Sequence, residues 1–169
     1  HFFVGYSLGG RLLMHLELNT SDRVLLIGSH PGLSEGREKR QEKDLEWIEK
    51  SRLLTPDQWL DEWNRQDIFR FDTKRPERIY SEANFQKWMK ILKDWRLARQ
   101  SSRESWLESH ASQIYWCCGE KDKKFEELKS KKLQPLLPSG HLSSVEHSGH
   151  GVIFDAPNSV AKIIDGVLK

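Results

Sequence analysis

The sequence predicts an α/β fold in which a mostly parallel β-sheet is interrupted by a helical insertion. Short, continuous apolar segments, of the kind that parallel sheets bury on both faces, alternate with segments of helical periodicity. Between the second and third apolar segments lies a long, charged stretch in which tryptophan and leucine recur at helical spacing. The chain of 169 residues is long enough to bury a substantial core, and it contains no internal repeat or low-complexity linker.

The first two predicted strands lie close to the start of the sequence. Residues 2–6 are predicted to form a strand before a glycine-rich turn, and residues 9–18 the helix that follows it. Residues 23–29 (RVLLIGS) are a continuous apolar segment and predict a second strand that is buried on both faces. The sequence His-Pro-Gly at 30–32 ends that strand in a sharp turn.

The insertion, residues 34–108, is strongly charged and is predicted to be entirely helical. Thr55-Pro56-Asp57 within it is typical of a helix start. The stretch is too rich in tryptophan and leucine at helical spacing to be disordered, so we expect a helical cap. The apolar positions that recur at helical spacing are Leu45, Ile48, Trp59, Leu60, Trp63, Phe85, Trp88, Met89 and Leu92.

Strand character returns after the insertion. Residues 113–118 predict a third strand and residues 142–146 a short fourth strand, with a Lys- and Glu-rich helix over 123–132 between them. Residues 160–168 predict an amphipathic final helix, with Ala-Pro at 156–157 at its start. The predicted domains are the first part of the α/β core (1–33), the helical cap (34–110) and the last part of the core (111–169).

The most informative motif is a G-x-S-x-G sequence, Gly5-Tyr6-Ser7-Leu8-Gly9. A predicted strand precedes it and a predicted helix follows it, which is the setting in which a serine sits on a strained turn with its hydroxyl exposed. Both motif glycines are expected because a tight turn leaves no room for a Cβ atom. A glycine-rich structural turn is the alternative, but the flanking strand and helix favour a nucleophile elbow.

A nucleophilic serine requires a base, and the base requires an acid that orients it. Asp122 follows the third predicted strand, at the edge where the active sites of open parallel sheets collect. Alone, Asp122 fits the N-cap of the helix that begins at Lys123. Together with Ser7 it is predicted to be the acid, with Glu120 as the alternative.

Three histidines near the end of the sequence are candidates for the base. His150 follows the last predicted strand and stands between two glycines, which are expected to let the backbone turn the imidazole over the sheet edge. His141 precedes that strand and is expected at its opposite end, and His147 lacks the flanking glycines. We therefore predict that His150 takes the proton of Ser7 and that the Leu8 N–H is one oxyanion donor.

The order Ser7, Asp122, His150 is the chain order of the α/β-hydrolase fold. In that fold the serine follows several earlier strands, whereas here it is residue 7 and the sequence begins with His1. We therefore expect the C-terminal portion of a longer protein, without its first strands and the loop that donates the second oxyanion N–H. The 169-residue chain alone is expected to be inactive or nearly so. The first strand of the chain is expected to form a sheet edge with unpaired backbone groups, which pairs with a second copy or with the missing N-terminal segment.

Composition argues against other classes of partner. The 27 basic and 25 acidic residues give a net charge of +2, so no strong field predicts a nucleic-acid partner. No apolar run approaches the roughly 20 residues that span a bilayer. The two cysteines, Cys117 and Cys118, are adjacent on a predicted strand and point to opposite faces. They are therefore predicted to be buried reduced thiols, which fits a cytoplasmic protein.

The sequence resembles one known family closely. The resemblance is carried by residues 4–11 (VGYSLGGR), residues 30–33 (HPGL) with Arg37 and Arg40 downstream, and residues 118–125 (CGEKDKKF). These segments are similar to the MenH family of menaquinone (vitamin K2) biosynthesis, the 2-succinyl-6-hydroxy-2,4-cyclohexadiene-1-carboxylate synthases, which are lyases of the α/β-hydrolase fold. The resemblance covers essentially the whole sequence, although residues 151–157 (GVIFDAP) depart from the more polar sequence usual in the family.

The resemblance implies a 2,5-elimination rather than a hydrolysis. The triad would act as a base that removes a ring proton, so that pyruvate leaves and the ring gains a conjugated diene, with no metal or organic cofactor. The implied substrate is a small polyanion with three carboxylates. The residues that match substrate-binding positions of the family are Tyr6, Arg11, Arg40 and Trp63, with Arg37 near Arg40 and with Arg78 or Arg96 as a further cap arginine.

Each of these binding positions has a structural alternative. Arg11 lies one helical turn after Ser7, on the same face, which suits a carboxylate clamp and equally suits a helix surface. Arg40 is one of many charges in its segment, Trp63 also fits a core position, and Tyr6 either lines the pocket or packs. The alternative function is an ordinary α/β-hydrolase that cleaves an ester, a thioester or a C–C bond through an acyl-enzyme at Ser7.

Overall fold

A sheet of four parallel strands lies at the centre of the computed structural model, which describes residues 1–74 and 81–169. The strands are β1 (Phe2–Tyr6), β2 (Arg23–Ile27), β3 (Ile114–Gly119) and β4 (Leu142–Val145), in the spatial order β1-β2-β3-β4. In the register of the sheet, Gly5 pairs with Leu26, and Leu26 pairs with Trp116. Because the strands are parallel, their carboxyl ends meet at one edge, which confirms the predicted α/β class.

The helices lie between and after these strands. They are α1 (Leu8–Leu13), α2 (Arg37–Leu53), α3 (Pro56–Asn64), α4 (Glu82–Asp94), α5 (Glu104–Ser109), α6 (Lys123–Leu128), α7 (Val152–Asp155) and α8 (Pro157–Leu168). Short 3₁₀ turns cover Asp67–Phe69, Leu97–Arg99 and Ser139–His141, and a π-helical turn covers Lys129–Leu133.

Helix α1 is shorter than the predicted helix over residues 9–18. After Leu13 the hydrogen bonds tighten, because the N–H of Leu16 donates to the Leu13 carbonyl rather than continuing the α-helical pattern. The carbonyl of Met14 instead accepts two hydrogen bonds from the Arg103 guanidinium, at 3.0 Å from Nε and 2.8 Å from Nη2. A side chain distant in sequence therefore caps this helix, and no local signal predicts it.

The two faces of the sheet bury separate hydrophobic clusters. Along β3, Trp116 and Cys118 contribute to one cluster, whereas Cys117 contributes to the cluster on the other face. Both cysteines are free and buried, as predicted, and alternation along the strand keeps their sulfur atoms on opposite faces.

Burial determines how these two thiols titrate. Burial raises the pKa of the Cys117 thiol to about 12, and burial together with a hydrogen bond to Glu126 raises the pKa of Cys118. The folded chain therefore keeps both protons at pH values where an unfolded thiol, with a pKa of about 8.5, has lost its own. This preference stabilises the fold below pH 8.5, and the contribution of Cys117 is lost as the pH rises towards about 12.

We expect alkylation of both cysteines by iodoacetamide at pH 8 to be slower in the folded chain, by on the order of a thousandfold, than in urea. The thiolate is the reactive form, and folding suppresses it. Mass spectrometry of quenched time points measures the rate at each cysteine. Equal rates in the folded and unfolded chain would contradict this account, and a Cys117→Ala variant isolates the signal of Cys118.

The described residues divide into two compact units. The first contains residues 1–31, 68–74 and 103–169, and the second contains residues 32–67 and 81–102. The predicted cap, residues 34–110, includes residues 68–74 and α5, which belong to the first unit. Residues 68–74 and α5 pack with the sheet, because Ile68 and Leu107 join the cluster that contains Trp116.

The second unit has its own aromatic core. Trp47, Trp59, Phe85 and Met89 are buried together, and the indole N–H of Trp59 donates to the Trp47 carbonyl at 2.9 Å. The α3 helix begins with a capping box, in which Thr55 accepts the N–H of Gln58 and Gln58 accepts that of Thr55. The predicted helical unit therefore folds around its tryptophans.

Three apolar positions of the predicted helical pattern, Leu45, Ile48 and Leu60, are not part of that core. Leu45 is 44% exposed, whereas its neighbours in α2, Asp44 and Trp47, are buried. Asp44 is compatible with burial because its carboxylate accepts hydrogen bonds from Arg40 Nε at 2.7 Å and from the Ala98 N–H at 3.2 Å. These contacts and Trp47 thus determine which face of α2 is buried. Hydropathy alone would bury Leu45, which is exposed.

Candidate active site

Ser7 occupies a strained turn between β1 and α1. Its backbone angles are φ 49° and ψ −112°, which is rare for a residue with a Cβ atom and costs on the order of 1–3 kcal/mol. Neighbouring strands hold the turn in place: the Ser7 N–H donates to the Ile27 carbonyl at 2.8 Å, and the Ser29 hydroxyl donates to the Ser7 carbonyl at 3.0 Å. The strain is therefore maintained by the sheet, as in a nucleophile elbow.

The glycines around Ser7 differ in whether there is room for a Cβ atom. A Cβ atom at Gly5 would lie 2.6 Å from the Gly10 backbone, and one at Gly10 would lie 1.9 Å from Ser29 Oγ. At Gly9, a Cβ atom would meet no described atom within 4 Å. The expectation that both motif glycines are sterically required is therefore wrong for Gly9. The close approach of α1 to the sheet is made instead at Gly10.

His150 lies beside Ser7, and Asp122 lies behind His150. The imidazole Nε2 is 3.3 Å from Ser7 Oγ, and Nδ1 is 2.8 Å from Asp122 Oδ2. Both the histidine and the aspartate are 4% exposed. A carboxylate only accepts hydrogen bonds, so Nδ1–H donates to Asp122 and Nε2 is left as an acceptor for the serine hydroxyl. The structure brings these three side chains into one hydrogen-bonded series.

Asp122 both caps helix α6 and contacts the imidazole of His150, the two roles that its sequence position predicts. Its Oδ1 atom accepts the N–H of Phe125 at 3.3 Å and caps α6, while Oδ2 contacts the imidazole. The cap fixes the carboxylate, which in turn fixes the ring of His150. The N-cap and the contact to the histidine are therefore compatible, because each uses a different carboxylate oxygen atom.

The other candidates for acid and base lie elsewhere. Glu120 accepts the backbone N–H of His147 at 3.0 Å, and the His147 side chain is 85% exposed. His141 stacks on Tyr115 at 4.0 Å, with its Nδ1 atom 2.9 Å from the Ile114 carbonyl at the start of β3. These histidines and Glu120 therefore make their described contacts away from Ser7.

Aromatic rings surround the imidazole. The ring centroids of Phe125, Tyr6 and Phe69 lie 5.0, 5.5 and 5.8 Å from that of His150. Tyr6 also contacts Phe154 edge to face. Sequence analysis identified Tyr6 but not Phe69, which lies 81 positions before the histidine. These rings limit the orientations that the imidazole can adopt.

The predicted binding residues fall in both units. In the first unit, Leu8 is the first residue of α1, and the Arg11 N–H donates to the Ser7 carbonyl one turn later. In the second unit, Arg40 forms its ion pair with Asp44, and Trp63 stacks on Trp59 at 4.8 Å.

The remaining arginines of the predicted cap differ in their contacts. Arg37 donates to the carbonyls of Ala98 and Leu33, and Arg96 donates to that of Lys93. The guanidinium of Arg37 is therefore engaged within the second unit. Arg78 lies outside the described residues.

The loop that carries His150 is held by residues that sequence analysis did not identify. Asp72 accepts the N–H of Gly151 at 2.9 Å, and Asp155 accepts that of Gly149 at 3.2 Å. Gly149 and Gly151 do not have positive φ angles, so conformational freedom is not their role. A Cβ atom at Gly149 would lie 2.4 Å from Asp72 Oδ1. The glycines are needed for this close approach.

No helix within residues 1–74 and 81–169 is both long enough and apolar enough to cross a membrane. The same residues contain no group of three or more His, Cys, Asp or Glu side chains that could hold a metal ion.

The parallel sheet, the strained serine turn and the loops at the carboxyl ends of β3 and β4 define the α/β-hydrolase fold. The solved structure of MenH from Staphylococcus aureus superposes with a TM-score of 0.76 at 19% identity, covering 99% of this chain and 67% of that one. This likeness confirms the predicted fold.

The sequence comparisons point to one family within that fold. The chain is 29% identical to the 2-succinyl-6-hydroxy-2,4-cyclohexadiene-1-carboxylate synthase of Klebsiella pneumoniae, over 99% of this chain and 68% of the relative. A relative of the same name from Escherichia coli matches with the same identity and coverage. No protein-family profile matches the chain. The predicted resemblance to the MenH family is confirmed by these relatives.

Proposed function

We propose that this chain carries the catalytic residues of a carbon–oxygen lyase of menaquinone biosynthesis, which eliminates pyruvate to form 2-succinyl-6-hydroxy-2,4-cyclohexadiene-1-carboxylate. The observation that carries the proposal is the hydrogen-bonded series of Ser7, His150 and Asp122, in a chain whose relatives bear the name of that reaction. The strained backbone of Ser7 supports it further, because it fixes the hydroxyl beside the imidazole.

The three side chains would act together as one base. His150 takes the hydroxyl proton of Ser7 at Nε2, and the serine oxygen removes a proton from the substrate ring. The electrons of the broken C–H bond form one new ring C=C bond, the existing ring C=C bond shifts by one position toward the carbon that bears the leaving oxygen, and the C–O bond to the enolpyruvyl group breaks. The leaving enolate takes up a proton and departs as pyruvate. Asp122 stabilises the imidazolium that forms, and no covalent intermediate with Ser7 is required.

The substrate would be bound by cationic and backbone groups. Arg11 extends from α1 one turn after Ser7, and a guanidinium binds a carboxylate through two parallel hydrogen bonds. The Leu8 N–H would stabilise developing enolate charge as the residue after the serine. Tyr6, Arg40 and Trp63 complete the proposed binding set.

The direct test is pyruvate release from the enolpyruvyl-bearing menaquinone intermediate, followed with a coupled lactate dehydrogenase assay. The chain spans 68% of the length of its relatives, so the complete gene product and the 169-residue chain are assayed in parallel. We expect turnover by the complete product and little by the 169-residue chain.

We also expect Arg11→Ala to raise KM about tenfold or more, since it removes a charge-assisted contact to a carboxylate.

The outcome that overturns the proposal is hydrolase behaviour. A burst of acyl-enzyme at Ser7 with simple esters, together with no pyruvate from the intermediate, would assign the chain to the hydrolases instead. Lys162→Ala, which removes an exposed cation from α8, is the matched control for Arg11→Ala. It is expected to leave KM unchanged.

A further inference from the structure

The backbone on both sides of His150 is bound by carboxylates. The N–H of Gly149 donates to Asp155 Oδ2 at 3.2 Å, and the N–H of Gly151 donates to Asp72 Oδ1 at 2.9 Å. The Gly151 N–H lies in the peptide unit that directly follows His150, and the Gly149 N–H lies in the unit between residues 148 and 149, one residue further from the histidine on its other side. Each of these two peptide units is thus fixed to a carboxylate, and the Ser148 carbonyl of the first also accepts the Lys121 N–H at 2.9 Å, just after β3.

The two carboxylates belong to one connected arrangement. Asp155 Oδ1 accepts the N–H and the hydroxyl of Thr73, both at 2.9 Å, and the N–H of Lys74 at 2.8 Å. Helix α7 therefore binds residues 73–74 through Asp155, its last residue, and the adjacent Asp72 binds the N–H of Gly151, just before α7, in return. All of these residues lie in the first unit.

The two carboxylates approach the glycines closely, and Asp155 carries a negative charge. A Cβ atom at Gly151 would lie 2.9 Å from Asp72 Oδ2, and one at Gly149 would lie 2.4 Å from Asp72 Oδ1. Burial acts to raise the pKa of Asp155, but the hydrogen bonds it accepts outweigh burial and lower that pKa. The carboxylate is thus ionised at neutral pH, and charged acceptors make the stronger hydrogen bonds.

We propose that Asp155 and Asp72 are positioning residues that set the reach of the His150 imidazole toward Ser7. The Nε2–Oγ distance of 3.3 Å is at the long end of hydrogen-bonding range, so a shift of the loop by a few tenths of an ångström decides whether proton transfer is efficient. The inference rests on the proposed function in that His150 is taken as the base. Each aspartate acts through the backbone N–H that it accepts.

The test compares Asp155→Asn with Asp165→Asn, which removes an exposed carboxylate from α8. Asparagine keeps the shape of the side chain but presents an amide N–H₂ group to donors that need an acceptor. We expect Asp155→Asn to lower kcat about ten- to a hundredfold with little change in KM, because misplacing a catalytic group slows the chemical step. The control variant is expected to match the wild type.

A second readout does not depend on the reaction. The His150 ring protons are followed by NMR without substrate, and we expect their shifts and apparent pKa to change in Asp155→Asn but not in Asp165→Asn. Unchanged His150 signals together with unchanged kcat would overturn the inference, as would a loss of kcat matched by equal loss of folded protein.

Two further comparisons complete the design. A wild-type protein that releases no pyruvate would count against the proposed function, whereas the NMR comparison would still decide the positioning role. Should Asp155→Asn fail to fold, Asp72→Asn is judged by the same two readouts, because Asp72 holds the other amide beside His150.

Discussion

Replacing His150 with alanine is expected to lower kcat for pyruvate release by about 10²- to 10⁴-fold, the range attributed to a positioned general base. The imidazole is 4% exposed, and its two nitrogen atoms contact Asp122 and Ser7. Without it, the serine hydroxyl has no acceptor for its proton and cannot remove one from the substrate. The measurement is steady-state kcat of the protein form that releases pyruvate, with the folded fraction checked by circular dichroism.

The matched control is His147→Ala, three residues earlier on the same loop. The side chain of His147 is 85% exposed and lies beside Glu120, so its removal is expected to leave kcat within twofold of the wild type. If the two variants lose activity equally, the loop as a whole matters and His150 is not the base. If His150→Ala retains most of its activity, the proposed proton relay is wrong.

The elements nearest Ser7 were predictable because their signals are local. The strand Phe2–Tyr6 has the predicted bounds, since an apolar run ends at a motif that has one structural setting. Asp122 was predictable for a similar reason, because it follows an apolar strand and precedes a helix. These signals depend on residues within one turn or strand, and the parallel order of the strands then places the side chains at one edge.

The residues that bind the backbone on either side of His150 were not predictable from the sequence. Asp72 and Gly151 are 79 positions apart, and Thr73 and Asp155 are 82 apart. An aspartate that accepts distant backbone N–H groups has the same local sequence signature as one that is solvated. The predicted role of Gly149, conformational freedom, was wrong for the same reason. In the sequence, a glycine that is required because a distant side chain approaches it cannot be distinguished from one that is required for its own φ angle.

Helix α2 shows the same limit within the second unit. Its hydropathy pattern selects Leu45, which is 44% exposed, and gives no reason to bury Asp44. Burial of Asp44 depends on donors from Arg40 and from Ala98, and the second of these lies 54 residues away. Where polar groups satisfy one another over such distances, amphipathic periodicity identifies the helix but not its buried face.

Replacing Gly10 with alanine is expected to destabilise the fold by about 1–3 kcal/mol, whereas Gly9→Ala, its neighbour in α1, is expected to be neutral or stabilising by up to about 1 kcal/mol. The added Cβ atom at Gly10 would lie 1.9 Å from Ser29 Oγ and 2.8 Å from the Gly5 carbonyl oxygen. Ser29 is fully buried and its hydroxyl donates to the Ser7 carbonyl, so neither group can retreat without moving the strained turn. Urea unfolding midpoints of the two variants measure the difference.

The cause can be separated from a general loss of packing by adding Ser29→Gly to Gly10→Ala. This second change removes the Oγ and Cβ atoms that the new methyl group would meet, at 1.9 and 2.7 Å. If the clash is the cause, the double variant is more stable than the sum of the single changes predicts. Additive losses would instead mean that Gly10 is needed for its own backbone. The comparison also bears on catalysis, since a shift of Ser29 that releases the Ser7 carbonyl would relax the turn that fixes the serine hydroxyl beside His150.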